Sequence, residues 1–279
     1  MAIDSTTANT LVEDQIHPLL IEPLEAASVV LSAGPMITQS SAPIRFKRMD
    51  EGFDPAWTGE GELIPDVGDG DWSEFTLMPE SRKSIKAMIR VTNELVRMAD
   101  RNVSTTLQSR LVKDVAHKLD DALLAGDGTD NTVTGIVNQP GITKAPLDLT
   151  DTDSLLDALA LSASREVTPN KLIMNGTDFF ELRKLKDGDG RYILQNDVAG
   201  EAQFRLFGIP VVVTNKLPQG QAILADMSQV VVVRDQDPTV KILDQRYAEY
   251  DQVGIRVTTR YDLGLLRPEG VILLESPEA

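Results

Sequence analysis

The chain has 279 residues, a formal net charge of −16 and 42% hydrophobic residues, enough for one large domain or two small ones with an ordinary core. It has no cysteine, which excludes disulfides, thiolate nucleophiles and cysteine-ligated zinc. No apolar run approaches the ~20 residues of a membrane span, and residues 1–15 lack the basic start and apolar block of a signal peptide. We therefore expect a soluble protein, made and kept in a cytoplasm, with no membrane partner.

Residues 1–41 are predicted to form an N-terminal arm. Pro18, Pro23 and Pro35 interrupt its short apolar groups, so it can form one or two brief helices at most. Because such a segment buries little against itself, we expect it to stay mobile or to lie across a neighbouring subunit. A short strand is predicted next, within residues 42–52.

Residues 53–83 are rich in Gly, Asp and Pro and are too long for an ordinary loop in a compact domain. The sequences AWTGEGELI and WSEFTLMP predict the two arms of a long hairpin, with Trp57 and Trp72 flanking the turn-forming segment between them. Exposed tryptophans on such a hairpin indicate a partner surface. The alternative, that either ring folds back onto the body, is equally open.

Charge is unevenly distributed around this hairpin. Residues 50–80 contain ten carboxylates and no Lys or Arg, whereas residues 82–101 contain six basic residues and two acidic ones. The acidic loop is either simply solvated, or it is a flap on one subunit that meets a basic patch on another. The candidate inter-subunit contacts are Trp57, Glu60, Glu62, Asp66, Trp72, Arg82, Lys83 and Lys86.

A long amphipathic helix is predicted over residues 102–125, directly after an alternating, half-exposed strand at 84–92. Asn102 or Ser104 can cap its start, and Gly126 supplies the permissive φ that helix ends favour. At 1.5 Å per residue the helix reaches roughly 30 Å, which suits the spine of a domain. The apolar stripe that predicts it comprises Leu107, Leu111, Val115, Leu119 and Leu123.

The remaining sequence mixes helices and strands without regular alternation. Helices are predicted at 153–163 and 178–186, and the last third is rich in strands, including 230–233 and 253–261. This order favours an α+β fold over a doubly wound sheet.

A search for catalytic and metal-binding motifs finds none. The Asp-Gly motifs at 127–128 and 187–188 lack the Gly and Glu that calcium loops require, so tight turns explain them. His117 is predicted on the polar side of the long helix and is far more typical of a solvated histidine than of a catalytic one. The carboxylate pairs that an enzyme could use are Asp120 with Asp121 and Asp187 with Asp189. They are predicted in turns or on helix surfaces, so we expect no catalytic residue, cofactor or metal.

Three stretches, taken in order, resemble the major capsid protein of tailed bacteriophages, the HK-ninety-seven-type fold that encapsulins share more distantly. AWTGEGELIPD…WSEFTLMP is similar to the extended loop of that family, and LDDALLAGDGTDNTVTGIVN is similar to the end of its spine helix. LIMNGTDFFELRKLKDGDGRYIL followed by FGIPVVVTNKLPQG is similar to its axial-domain signature. The closing Arg267-Pro268 before GVILLE fits the same pattern.

The resemblance implies an α+β phage major capsid fold with an N-terminal arm, an extended β-hairpin loop, a peripheral domain with a long spine helix, and an axial domain. The apolar stripe of the helix is then expected to lie on a peripheral sheet. The implied segments are 1–41 (arm), 42–52 (peripheral strand), 53–83 (extended loop), 84–125 (peripheral domain with spine helix 102–125), 126–234 (axial domain), 235–265 (peripheral strands) and 266–279 (strand returning to the axial domain).

The implied function is self-assembly as hexamers and pentamers into an icosahedral shell around packaged double-stranded DNA. A separate scaffolding protein and a portal are the implied partners, in a virion assembled in the host cytoplasm. The acidic balance suits a wall that holds DNA without sequence-specific binding. Some members of the family cross-link their subunits through a Lys on the extended loop, an Asn in the peripheral domain and a nearby catalytic Glu. Aligned on Arg267-Pro268, the Asn position holds Asp251 and the Glu position holds Thr258, and residues 50–80 contain no lysine. We therefore expect no autocatalytic cross-link. An encapsulin-like compartment is the alternative, and a soluble enzyme using a carboxylate pair is a third possibility.

Overall fold

Helices and strands are mixed along the chain, with three β-sheets among the residues that the structure describes. The structure, a computed structural model, describes residues 27–51, 57–63, 71–78, 84–92, 101–129, 132–186, 189–192, 204–243 and 245–276. The helices are α1 (Val29–Ser32), α2 (Arg101–Ala125), α3 (Asp153–Ser164) and α4 (Gly176–Arg183). The strands are β1 (Met36–Gln39), β2 (Ile44–Glu51), β3 (Asp71–Leu77), β4 (Ile85–Thr92), β5 (Thr143–Pro146), β6 (Lys171–Met174), β7 (Arg205–Leu206), β8 (Ile209–Val213), β9 (Gln221–Ala225), β10 (Val230–Leu243), β11 (Gln252–Leu265) and β12 (Val271–Glu275).

The sheets contain four, six and two strands. The four-stranded sheet has the order β1-β10-β11-β4, the six-stranded sheet the order β5-β12-β9-β6-β8-β7, and β2 pairs with β3 alone. The predicted α+β class is confirmed.

The predicted spine helix is present as α2, and its apolar stripe packs on the four-stranded sheet as expected. Val115, Leu119 and Leu123 are buried in one cluster with Val257 and Tyr261 of β11. The expected cap residues of the helix lie outside the side chains that the structure describes.

The four valines at the start of β10 are completely buried, because both faces of the sheet are covered there. Val230 and Val232 belong to the cluster beneath α2, whereas Val231 and Val233 pack against Leu77 of β3. A continuous apolar run, rather than an alternating one, is typical of a strand buried on both sides. The expected domain boundary at residue 234 falls inside this strand, where its register with β11 begins to shift.

Residues 28–39 pack within their own subunit, so the expected mobile or neighbour-spanning arm is wrong for this stretch. β1 pairs in parallel with β10, and Val30 lies in the core beside α2. The carboxylate of Asp120 on α2 accepts hydrogen bonds from the Ser28 hydroxyl (2.6 Å) and from the amides of Val29 (2.8 Å) and Val30 (3.2 Å). Asp120 thereby caps α1 and fastens the segment to the spine.

The hairpin differs from the expected one in its first arm. β3 pairs with β2, not with the segment AWTGEGELI, and the register joins Ile44 to Leu77 and Phe46 to Phe75. The strand predicted within 42–52 is therefore an arm of the hairpin rather than a member of the four-stranded sheet.

A turn closed by two glycines follows the spine helix. A Cβ on Gly126 would lie 2.2 Å from the Val133 carbonyl oxygen, so Gly126 is needed for close approach rather than for the positive φ expected of it. The positive φ occurs at Gly128. Hydrogen bonds from the Thr129 hydroxyl and amide, and from the Thr132 hydroxyl, lower the pKa of Asp127 to about 2. This is the tight turn that the Asp-Gly motif predicts.

The six-stranded sheet carries α3 and α4 over one shared cluster of buried side chains, among them Leu155 and Phe179. The Asn175 side chain caps α4 by accepting from the Thr177 amide (2.9 Å) and also donates to the Leu217 carbonyl (2.8 Å). Asp178 accepts from the Gly220 amide (2.8 Å), and its burial raises its pKa above the ordinary value.

Candidate assembly surfaces

The base of the hairpin is built into the core. Leu77 and Met78 are buried against Val231 and Val233, and the Met78 amide donates to the Asp262 carboxylate on β11 (2.7 Å). A Cβ on Gly264 would lie 2.7 Å from the Phe75 ring and 2.9 Å from Leu77, so glycine makes room for the hairpin. The hairpin is thus fastened at its base to the strand that also contacts the spine.

The tip of the hairpin, residues 57–63, makes little contact with the body. Trp57 is fully exposed and Leu63 is 92% exposed, so no residue in the described part of the chain covers their apolar surfaces. Glu60 and Glu62 are exposed beside them, and Glu62 accepts a hydrogen bond from the Gly59 amide within the tip (3.1 Å). The tip therefore combines uncovered apolar area with negative charge.

The outer face of the four-stranded sheet, opposite the spine, carries cations at its far end. Register places Met88 of β4 opposite Arg256 of β11, which lies opposite Lys241 of β10, and Lys86 and Arg90 flank Met88 on the same face. We name the outer cationic face by its five cations, which form no ion pair in the described part of the chain: Lys86, Arg90, Lys241, Arg246 and Arg256.

An aromatic side chain organises this face. The Tyr247 ring lies over Gly254, where a Cβ would be 3.0 Å away. The guanidinium groups of Arg90 and Arg246 lie 4.5 and 5.7 Å from the ring centroid, which is cation–π geometry. The Tyr247 hydroxyl donates to the Met88 sulfur (3.7 Å).

The structure describes five of the eight predicted contact residues, and they lie in three places. Trp57, Glu60 and Glu62 share the tip, and Lys86 belongs to the outer cationic face. Trp72 is 55% exposed and lies on β3, at the end of the strand opposite the hairpin base. The residues Asp66, Arg82 and Lys83 lie outside the described part of the chain.

Sequence reasoning missed Lys241, Arg246, Arg256 and Tyr247, because they join Lys86 only through strand pairing or, for Arg246 and Tyr247, through packing of the Tyr247 ring on the sheet. The available signal was the alternation of apolar residues in 253–257, which places Arg256 on the opposite, solvent face of its strand.

The carboxylates considered for catalysis are engaged elsewhere. Asp120 is 1% exposed and caps α1, which corrects its expected place on the helix surface, and Asp121 pairs with Lys216 (3.0 Å). His117 is exposed, as predicted. The partner of Asp189, Asp187, lies outside the described residues. Among the residues described, no group of three or more His, Cys, Asp or Glu is arranged to hold a metal.

A cleft of about 300 Å³ lies beside the hairpin base, lined by Phe75, Leu263 and Pro268 among others. Its one carboxylate, Asp262, already accepts from the Met78 amide. Within the described part of the chain, no helix is long and apolar enough to cross a membrane.

Comparison with known proteins identifies the family. The model of the phage capsid family matches residues 8–276. The major capsid protein of Klebsiella oxytoca phage phiKO2 is 26% identical over 310 aligned positions, covering 98% of this chain and 70% of the relative.

Solved structures agree in fold. The capsid of the native GTA particle, computed with C5 symmetry, superposes with a TM-score of 0.74 at 19% identity, covering 89% of this chain and 90% of that one. The structure from Mycobacterium phage Bobi gives a TM-score of 0.71 at 19% identity, covering 90% of this chain and 91% of that one. The resemblance seen in the sequence is confirmed: the chain belongs to the phage capsid family, and it is a major capsid protein.

Proposed function

We propose that the chain self-assembles as hexamers and pentamers into an icosahedral shell that encloses packaged double-stranded DNA, without catalysis. The observation that carries this proposal is a hairpin fastened at its base whose apolar, acidic tip is uncovered in the single subunit. An apolar side chain exposed in this way favours a partner surface. Family membership supports a second copy of the chain as that partner.

The tip of one subunit lies on the outer cationic face of a neighbour. Glu60 and Glu62 supply the negative charge, and the five cations of that face form no ion pair with another described residue. Opposite charges steer and orient such a contact, whereas burial of Trp57 supplies the apolar area at its centre. Asp66, Trp72, Arg82 and Lys83 complete the proposed contact.

The domain assignment follows the sheets. The six-stranded sheet with α3 and α4 is the axial domain, and the four-stranded sheet with α2 is the peripheral domain. The polar face of α2 lines the interior of the shell. Because the chain as a whole has fewer basic than acidic residues, the shell holds DNA by confinement rather than by binding its phosphates. A scaffolding protein and a portal take part in assembly in the host cytoplasm, and the product is the virion capsid.

Charge reversal tests the contact. We expect the variant Lys86→Glu/Arg256→Glu to remain a folded monomer that no longer forms capsomers or shells in negative-stain electron microscopy. The matched control is Lys113→Glu/Lys118→Glu, which makes the same charge change on two exposed lysines of the spine that form no ion pair with a described residue. This control should still form capsomers.

Normal shells from the first variant would refute the contact. A small, discrete oligomer of the parent protein would refute the shell itself. Particles that lack nucleic acid when purified from cells would favour the encapsulin-like alternative. After assembly, we expect the subunits to run as single chains in a denaturing gel, because residues 50–80 contain no lysine for a cross-link.

A further inference from the structure

The two edges of the six-stranded sheet differ in chemistry. β5 forms one edge and β7 the other, with four strands between them. Residues 145–164, which follow from β5 into α3, contain four aspartates and no Lys or Arg. The segment around β7 and the end of α4 carries exposed aromatic rings and cations.

The acidic edge is held rigidly beside β5. The Ser154 hydroxyl of α3 accepts from the Asp148 amide (3.1 Å) and donates to the Asp148 carbonyl (3.2 Å), which ties the helix start to the end of the strand. Hydrogen bonds from Thr150 lower the pKa of Asp148.

The outward side of α3 at this edge presents Asp153, Leu156 and Asp157, which are neighbours at i, i+3 and i+4. Leu156 is 44% exposed, and neither aspartate is ion-paired in the described part of the chain. The edge therefore carries an apolar centre between unpaired negative charges.

Aromatic rings line the opposite edge. Phe204, directly before β7, lies 5.0 Å from the buried Phe179 and 6.3 Å from Phe180 between ring centroids. Phe180 is 50% exposed, and Phe207 in the turn after β7 is 41% exposed. Among the described residues, Phe180 and Phe204 thus form a ring contact with exposed outer surface, and Phe207 is exposed at the same edge.

Unpaired cations flank those rings. Lys184 follows Phe180 by four residues, so the two share one side of α4 at its end. Lys186 lies 4.9 Å from the centroid of the exposed Tyr192 ring, and neither lysine has an ion pair among the described residues. An apolar centre flanked by positive charge is the complement of the α3 surface.

We propose that the β5 edge of one subunit binds the β7 edge of the next, with Leu156 against Phe180 and Phe204, and with Asp153 and Asp157 facing Lys184 and Lys186. The contact joins two different surfaces of the same chain, so it is head-to-tail and closes into a ring when the rotation permits. This inference rests on the proposed shell function and names the surfaces that form each capsomer ring.

Two charge-reversal variants test the proposal separately. Variant one, Lys184→Glu/Lys186→Glu, has two acidic edges, and variant two, Asp153→Lys/Asp157→Lys, has two basic edges. Each variant alone should lose ring formation, because like charges meet at every contact. Thermal unfolding of each monomer checks that its fold is retained. The chain that combines all four changes should form rings again, because its charges are exchanged but remain complementary.

An equimolar mixture of the two variants gives the sharpest result. Complementary edges then meet only between unlike variants. The two variants must therefore alternate around each ring, and the ring must contain an even number of subunits. Electron microscopy should show six-membered rings and no five-membered ones, and closed shells should be replaced by open sheets or tubes, since icosahedral closure requires five-fold vertices.

Rings from either variant alone, or five-membered rings in the mixture, would overturn the proposal. These outcomes are distinct from failure of the shell function itself, because the parent protein examined in parallel would then form no rings at all.

Discussion

At its base the hairpin β2–β3 is part of the core, whereas at residues 57–63 the same hairpin leaves its apolar side chains uncovered. Leu77 is 5% exposed and Leu63 is 92% exposed, although both are leucines on one hairpin. The difference separates two kinds of role for apolar residues. Those at the base stabilise the subunit, and those at the tip act, in the proposed contact, only when a second subunit binds. Substitutions should therefore divide between folding and assembly according to position.

The largest loss of folding free energy is expected at the other fastened segment, where Asp120 holds α1. Asp120→Ala leaves the Ser28 hydroxyl and the amides of Val29 and Val30 without their acceptor, at about 1–3 kcal/mol for each unsatisfied buried donor and about 4 kcal/mol in total. Chemical denaturation of the monomer measures this loss of unfolding free energy. The neighbouring Asp121→Ala, which removes a half-exposed ion pair with Lys216, should cost less than 1 kcal/mol by the usual value of about 0–1 kcal/mol. Equal losses in the two variants would contradict the anchoring role.

A smaller loss is expected at the hairpin base. Gly264→Val places a Cβ where Phe75 and Leu77 already lie, at 2.7 and 2.9 Å, and overpacking of this kind costs about 2–3 kcal/mol. The expected result is a lower melting temperature together with increased proteolysis of the hairpin. Gly59→Val at the tip is the matched control, because Gly59 has no positive φ and its Cβ would meet only the end of the exposed Glu62 side chain, at 3.2 Å. Gly264→Val should cost clearly more than this control.

The pH dependence of stability distinguishes a buried carboxylate from an exposed one. The raised pKa of Asp178 means that its charged form is disfavoured in the folded state. This destabilisation is absent below pH 3.8, grows as pH rises from there to the folded-state pKa, and is constant at higher pH. Asp178→Asn keeps an acceptor for the Gly220 amide. Compared with the parent, the variant should gain thermal stability at about pH 7 and not below pH 3.8. A gain of equal size at both pH values would show that charge is not the cause.

The smallest effect on folding is expected at the tip. Trp57→Ala should change the unfolding free energy of the monomer by no more than about 0.5 kcal/mol, because an exposed side chain without contacts contributes little. Capsomer yield measured by size-exclusion chromatography should fall in the same variant. If the monomer were destabilised as strongly as by Gly264→Val, the tip would have to contact its own subunit.

Local patterns predicted the elements that carry their own periodicity. The spine helix followed from Leu111, Val115 and Leu119, and the alternation in 84–92 predicted β4. The anchoring carboxylate also left a signal that was overlooked. Asp120 lies four residues after Ala116 and three before Leu123, so it falls inside the apolar stripe, and a charged group there requires hydrogen-bond partners.

Pairings between distant segments could not be derived in the same way. β2 and β3 are joined by a Gly- and Asp-rich segment that carries no register information, so the first arm of the hairpin was misplaced. The outer cationic face depends on register shifts between Arg234 and Thr239 that align Lys241 with Arg256. Such bulges arise from packing across the sheet, which a single strand does not encode.

The double burial of Val230–Val233 has a mechanical consequence. β2 is eight residues long, so in the proposed contact a neighbour that pulls on the tip acts through a lever arm of about 27 Å. The hairpin base contacts Val231 and Val233 on one face of β10, and the spine packs against Val230 and Val232 on the other face. A force applied to the hairpin by a neighbouring subunit would therefore pass across one strand into the spine helix, so the helix that stiffens the subunit would also resist tension between subunits.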